Sequence, residues 1–167
     1  DVMRLLKGKK GSKVKLGIKR QGIGKLIAFE VRRDIIPTYS VDYFGMIDSK
    51  TGYIRLSQFS QTTSEEVNRA LNDLLRRGMK QLVFDLRGNG GGYLDQAYKV
   101  ADEFLGKGDL VVYTKGRKRD KEDLIATEDG LFEKGKLIIL IDELSASASE
   151  ILSGAMQDND RAMILGR

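Results

Sequence analysis

Leu137-Ile138-Ile139-Leu140-Ile141-Asp142, leading through Glu143-Leu144 into Ser145-Ala146-Ser147-Ala148-Ser149-Glu150, is the stretch that decides the fold. An unbroken apolar run ending in a carboxylate reads as a strand buried on both faces, as in parallel sheets. Ser147 to Gln157 reads as the helix that follows it. The same order recurs upstream. Leu82-Val83-Phe84-Asp85-Leu86 is a second buried strand, Arg87 to Gly92 a glycine-rich turn, and Leu94, Ala97, Val100, Ala101, Phe104 and Leu105 mark a helix by their spacing. Gly52-Tyr53-Ile54-Arg55-Leu56 is a strand before it. Between the two, Thr62 with Glu65, or Thr63 with Glu66, matches a capping box that opens a helix through Val67, Ala70, Leu71, Leu74 and Leu75 to Gly78. Leu110 to Tyr113 is a further strand, Lys115 to Asp123 a charged stretch expected as an exposed loop or cleft rim, and Met163-Ile164-Leu165 the last strand. Strands alternating with helices imply a layered α/β domain.

The amino-terminal part differs. Val2, Leu5 and Leu6 have helical spacing, and Lys7-Gly8-Lys9-Lys10-Gly11 closes that run with the residues typical of a helix end. Val14, Leu16 and Ile18 alternate with lysines as in a half-buried strand, Gln21 to Gly24 makes a turn, and Leu26 to Val31 returns. Pro37, the only proline, marks the handover to the α/β part.

Composition narrows the chemistry. The 167 residues are enough for one domain with a core and part of another. Lys and Arg number 29 against 24 Asp and Glu, and many of the basic residues lie between Lys7 and Arg33. Only Phe29 interleaves with them, so the segment lacks the stacking aromatics of a nucleic-acid surface and reads as a solvated face. The chain has neither cysteine nor histidine, which removes disulfides, thiolate metal sites and the commonest metal ligand; no metal and no cofactor is expected. No run approaches the ~18 to 20 apolar residues of a membrane span, and no signal peptide is visible at Asp1, where the chain opens inside a helical pattern.

The glycine turn and the serine cluster each sit at the carboxyl end of a buried strand and the amino end of a helix, where open α/β sheets place their ligands. Gly88-Asn89-Gly90-Gly91-Gly92 lacks the spacing of a dinucleotide fingerprint, and no Gly-Lys-Ser/Thr follows, which argues against a nucleotide. Its glycines either permit a tight turn with positive φ or let a backbone amide approach a developing oxyanion. The serines are equally double-edged. Ser147-Ala148-Ser149-Glu150 fits a capping box that needs no catalytic role. Yet Ala146 and Ala148 leave room around the Ser147 hydroxyl, and a helix amino end favours an anion. If a serine is the nucleophile, no imidazole is present to take its proton, and a lysine amine is the natural substitute.

Together these residues resemble the C-terminal processing peptidases, or tail-specific proteases. The likeness rests on Gly52 to Leu56 with Phe59, Asp85-Leu86-Arg87-Gly88-Asn89 with Gly91-Gly92, Ser145 to Ile151, and Gln157-Asp158 with Arg161-Ala162 and Gly166. The resemblance implies a serine endopeptidase with a Ser-Lys dyad, a core similar to the ClpP and crotonase folds, and a PDZ domain. Residues 1–37 would be the carboxyl-terminal part of that PDZ domain, with Leu5 to Gly11 as the helix that lines its peptide groove, and 38–167 the protease core. Ser147 would be the nucleophile; Ala148 with Gly91 or Gly92 would form the oxyanion hole; Arg87, Asn89, Glu150 and Arg161 would be structural supports. The family's lysine lies in a Gly-Lys-Gly motif that would fall just beyond Arg167, so the 167 residues by themselves are expected to be inactive. Lys115, Lys134 and Lys136 remain as internal alternatives. Partners would be proteins or peptides with apolar C-termini, in a bacterial periplasm or envelope; a non-catalytic peptide binder of the same fold is the rival reading.

Overall fold

A computed structural model describes residues 2–35, 39–117, 119–127 and 129–167. The chain divides into two compact units, Asp1–Thr38 and Tyr39–Arg167. Pro37 lies outside the described residues.

In the first unit a short helix α1 (Val2–Leu6) precedes an antiparallel hairpin of β1 (Lys13–Ile18) and β2 (Ile27–Arg32). α1 is shorter than the sequence suggested, and Lys7 to Gly11 are not helical. The reason is a long-range contact. The Arg33 guanidinium donates to the Leu5 and Leu6 carbonyls at 3.0 and 2.6 Å, satisfying acceptors that a longer helix would have used.

In the second unit the strands are β3 (Val41–Met46), β4 (Thr51–Leu56), β5 (Gln81–Asp85), β6 (Leu110–Gly116), β7 (Arg119–Ile125), β8 (Lys136–Leu140) and β9 (Met163–Leu165). The helices are α2 (Thr63–Arg76), α3 (Leu94–Asp102) and α4 (Ala148–Asp158). A mixed sheet has the order β3-β4-β5-β8-β9, with β3 antiparallel to β4 and the other pairs parallel. Alternate residues Ile54, Leu56, Leu82, Phe84, Leu137 and Ile139 are buried in one core with Val67, Leu71 and Leu74 of α2, Ala97 and Val100 of α3, and Leu152 and Met156 of α4. That spacing, every second residue on strands and every third or fourth on helices, is what the sequence displayed.

Several expectations change. The stretch Lys115 to Asp123 is largely strand: β6 and β7 form a separate two-stranded antiparallel sheet. An exposed hairpin needs no buried face, so charged side chains do not forbid it, and Lys121 pairs with Asp123 at 2.6 Å while lying over the Tyr113 ring. Glu66 does not close a capping box on α2. Its carboxylate takes the Thr62 hydroxyl at 2.6 Å and, on the other oxygen, the Ser40 and Val41 amides at 2.8 and 3.0 Å, fastening the start of β3. Phe104 and Leu105 lie beyond α3 yet are fully buried.

Candidate active site

β5 and β8 are neighbours in parallel register, Asp85 opposite Leu140, so the turns that leave their carboxyl ends emerge side by side. They are fastened together by the side chains that made each turn look special. Asp142 Oδ1 accepts the Gly88 amide at 2.9 Å, and the Ser145 hydroxyl donates to the Leu86 carbonyl at 2.8 Å. The Ala146 amide and the buried Ser149 hydroxyl both donate to the Asn89 carbonyl, at 3.1 and 2.9 Å. Asn89, itself buried, donates Nδ2 to the Leu56 carbonyl and accepts the Gly91 amide on Oδ1, each at 2.9 Å. With Asp142 and Asn89 on its amides, the glycine turn is not laid out as a phosphate cradle.

Gly91 has φ 96°, and a Cβ placed there would stand 2.6 Å from the Ala146 carbonyl, 2.8 Å from Ser147 Cβ and 2.9 Å from the Ala148 amide nitrogen. Only glycine allows the turns to approach this closely. Gly92 is held against Phe59, whose amide donates to the Gly91 carbonyl at 2.9 Å and whose carbonyl accepts the Tyr93 amide at 3.0 Å.

Ser147 stands at the start of α4, exposed, with φ 57° and ψ −111°. A positive φ at a residue with a Cβ costs on the order of 1–3 kcal/mol and persists only where surrounding contacts impose it. Here the Glu150 carboxylate grips the Ser147 amide at 2.6 Å, and the Ser147 carbonyl accepts the Glu150 and Ile151 amides at 2.9 and 3.0 Å. A sharp strand-to-helix turn of this kind lifts a hydroxyl out of the backbone. Ser147 and Glu150 thus form the capping box the sequence suggested, the Ser147 side-chain oxygen facing the Glu150 amide in return; among the described residues no acceptor lies within hydrogen-bonding distance of the Ser147 hydroxyl proton. The Ala148 amide and the Gly92 amide likewise have no acceptor among them, whereas the Gly91 amide is committed to Asn89.

The other residues singled out from sequence are placed as follows. Arg87 donates Nε and an Nη to the two oxygens of Asp85 at 2.9 and 2.7 Å, and its amide also reaches Asp85 at 2.9 Å. Tyr53 donates its hydroxyl to the same carboxylate at 2.6 Å. Burial pushes the Asp85 carboxyl up, but the bonds from Arg87 and Tyr53 outweigh it and hold the group at about 2. Tyr53 is pushed up in turn, by burial and by its bond to Asp85. Arg161 donates to the Phe104 and Phe132 carbonyls, pinning loops distant in sequence. The Ala148 side chain is fully buried, so its small size serves the core and leaves only its amide at the site. Sequence reasoning missed the fastening roles of Asp142, Ser149 and Tyr53 and the strained backbone of Ser147. A polar residue inside or just after an apolar strand was the one signal available for Asp85 and Asp142.

Lys134 and Lys136 precede or begin β8, at the end of the strand away from Ser147; five strand residues place them roughly 16 Å back along it. Lys115 is exposed on the separate β6–β7 sheet.

A family model described as peptidase family S41 matches residues 50–167. The chain belongs to that family. This S41 chain is 34% identical over 166 residues to a carboxy-terminal processing protease of Bacillus subtilis, covering 99% of itself and 35% of the relative. It is 40% identical over 166 residues to a carboxy-terminal-processing protease of Bartonella bacilliformis, covering 96% of itself and 38% of the relative. It thus spans well under half the length of these relatives. Among solved structures it is similar to a photosystem II D1 C-terminal processing protease, with a TM-score of 0.67 and 27% identity, over 94% of this chain and 44% of that one. A Bacteroides fragilis S41 protease structure, at 20% identity and a TM-score of 0.64 over 92% of this chain and 46% of that one, shares the fold.

Proposed function

We propose that this chain carries the nucleophile and oxyanion hole of a serine endopeptidase that processes proteins near their C-termini. The observation that carries the reading is the exposed Ser147 hydroxyl on a strained strand–helix turn, pressed against Gly91. Ser147 Oγ attacks the substrate carbonyl carbon and gives its proton to a lysine amine. The oxyanion is stabilised by the unengaged amides of Ala148 and Gly92, each such donor being worth about 10²- to 10³-fold in rate. Gly91 acts by close approach, its own amide being held by Asn89. Collapse breaks the peptide C–N bond, the lysine returns the proton to the leaving amine, and water then hydrolyses the acyl-enzyme ester.

The base is a lysine beyond Arg167. Support comes from β9: it runs parallel to β8 with Leu165 beside Leu140, and the Leu165 carbonyl accepts the Ile141 amide at 2.9 Å. The chain therefore leaves β9 at the same end of the sheet as Ser147. On this reading the 167 residues alone are inactive or nearly so. The first unit is the second half of a PDZ domain that presents protein substrates with apolar C-termini, the core is of the ClpP and crotonase type, and the protein works in the periplasm or envelope. A non-catalytic peptide binder is the second reading, kept because no lysine reaches Ser147 among the described residues.

In the natural full-length protein, Ser147→Ala removes peptide hydrolysis by at least about 10³-fold while the protein stays folded, its stability falling by no more than the roughly 1 kcal/mol of a lost helix cap. Hydrolysis that survives this substitution refutes the assignment. Absence of hydrolysis in the unsubstituted protein, together with retained peptide binding, selects the binder.

A further inference from the structure

Ser149 is a nucleophilic side chain that the proposed chemistry leaves unused, and it is fully buried. It stands in the first turn of α4, where a serine ordinarily keeps its hydroxyl on the local backbone or in water. Instead the hydroxyl crosses to the glycine turn and donates to the Asn89 carbonyl at 2.9 Å. Asn89 carries the connection further: its Oδ1 accepts the Gly91 amide and its Nδ2 donates to the Leu56 carbonyl of β4, each at 2.9 Å. Both ends of this chain of bonds adjoin an oxyanion donor, since Ser149 follows Ala148 and Gly91 precedes Gly92. Alanine is the stronger helix former and buries no polar group, so helix formation does not account for the hydroxyl.

We infer that Ser149 is a positioning residue for the oxyanion hole: through Asn89 it fixes the separation of the Ala148 and Gly92 amides before a substrate carbonyl arrives. The inference rests on the protease reading and adds a residue to its machinery. Ser149 is bonded to both sides of the junction. Its hydroxyl holds the glycine turn, and its amide donates to the Ala146 carbonyl of the serine turn at 3.1 Å. Oxyanion donors act only within about 2.7–3.1 Å of the developing charge, so even a small relaxation between the turns weakens their joint grip. Being buried, Ser149 touches no substrate; its loss therefore acts on the transition state and not on peptide binding.

Ser149→Ala leaves the Asn89 carbonyl with its bond from the Ala146 amide, so no buried acceptor is orphaned and the variant folds. In the natural full-length protein, its kcat for a quenched-fluorescence peptide with an apolar C-terminus should fall by at least about tenfold, with KM within about twofold of the unsubstituted value. Ser149→Cys fills the same space with a weak donor and should be equally slow. Affinity gives a second readout. Ser147 Oγ adds to the carbonyl carbon of a peptide aldehyde, the hydroxyl proton passes to the lysine, and the hemiacetal oxygen takes the oxyanion's place. The aldehyde should lose affinity in Ser149→Ala by the same factor as kcat, while the corresponding peptide alcohol, which forms no such bond, binds unchanged. An unchanged kcat in Ser149→Ala, a full rate in Ser149→Cys, or equal losses for aldehyde and alcohol overturns the positioning role, and hydrolysis that still depends on Ser147 then leaves the protease reading standing. Hydrolysis that persists in Ser147→Ala overturns both.

Discussion

At the scale of the residue, Ser147 is where local preference and tertiary demand conflict. Its backbone sits at φ 57°, which a side chain with a Cβ rarely adopts, and a grip from Glu150 and contact with Gly91 keep it there. Removing the hydroxyl takes away the cap on the Glu150 amide but leaves the backbone strained, whereas glycine also relaxes the turn. Ser147→Ala is expected to lose on the order of 1 kcal/mol with the cap, and Ser147→Gly to be more stable than Ser147→Ala by on the order of 1 kcal/mol, read by thermal or urea denaturation. Equal stability of the two variants would mean that the turn stores no strain. Nothing in the local sequence announces this strain, since Ser-Ala-Ser-Ala-Ser-Glu reads just as well as an ordinary helix cap.

At the scale of the element, the carboxyl end of β5 is set by Asp85. Its buried carboxylate joins Tyr53 of β4, the Arg87 side chain and the Arg87 amide, so it fixes where the glycine turn begins. Because the folded-state pKa, about 2, lies below the ordinary carboxylate value, the stabilisation is complete above about pH 4 and is lost as pH falls through about 2. Its size is on the order of 1 kcal/mol once screening of the half-exposed Arg87 is allowed for. Asp85→Asn should accordingly be less stable than the unsubstituted protein at pH 7, with the gap narrowing between pH 4 and pH 2 in urea titrations. A constant gap across that range would show that the carboxylate's charge is not what holds the turn. The charged stretch after Leu110 teaches the complementary lesson: β6 and β7 are held by pairing with each other, a partnership that charge composition alone does not reveal.

At the scale of the whole molecule, the two units differ in what sustains them. Every buried apolar side chain described, from Ile54 to Met156, belongs to the second unit, and the first exposes Leu5, Leu26, Phe29 and Val31. A unit of that size without a core falls below what folds unaided. Limited trypsin digestion of this chain should degrade the lysine-rich first unit early and leave a resistant product beginning near Tyr39, with its melting temperature retained; co-degradation of both units would contradict their independence. What the sequence by itself determined is the alternation of buried strands and amphipathic helices from Gly52 onward, the glycine and serine turns as the candidate site, and the family. Each depends on periodicity or on glycine and serine chemistry, which neighbours along the chain express. Only the tertiary structure decided that Asn89 occupies the Gly91 amide while that of Gly92 has no acceptor among the described residues, that Asp142 and Ser149 fasten the turns, and that Asn159 ties α4 to β6. Those facts arise from contacts between residues tens of positions apart, set by sheet register and helix packing, and no local pattern encodes them.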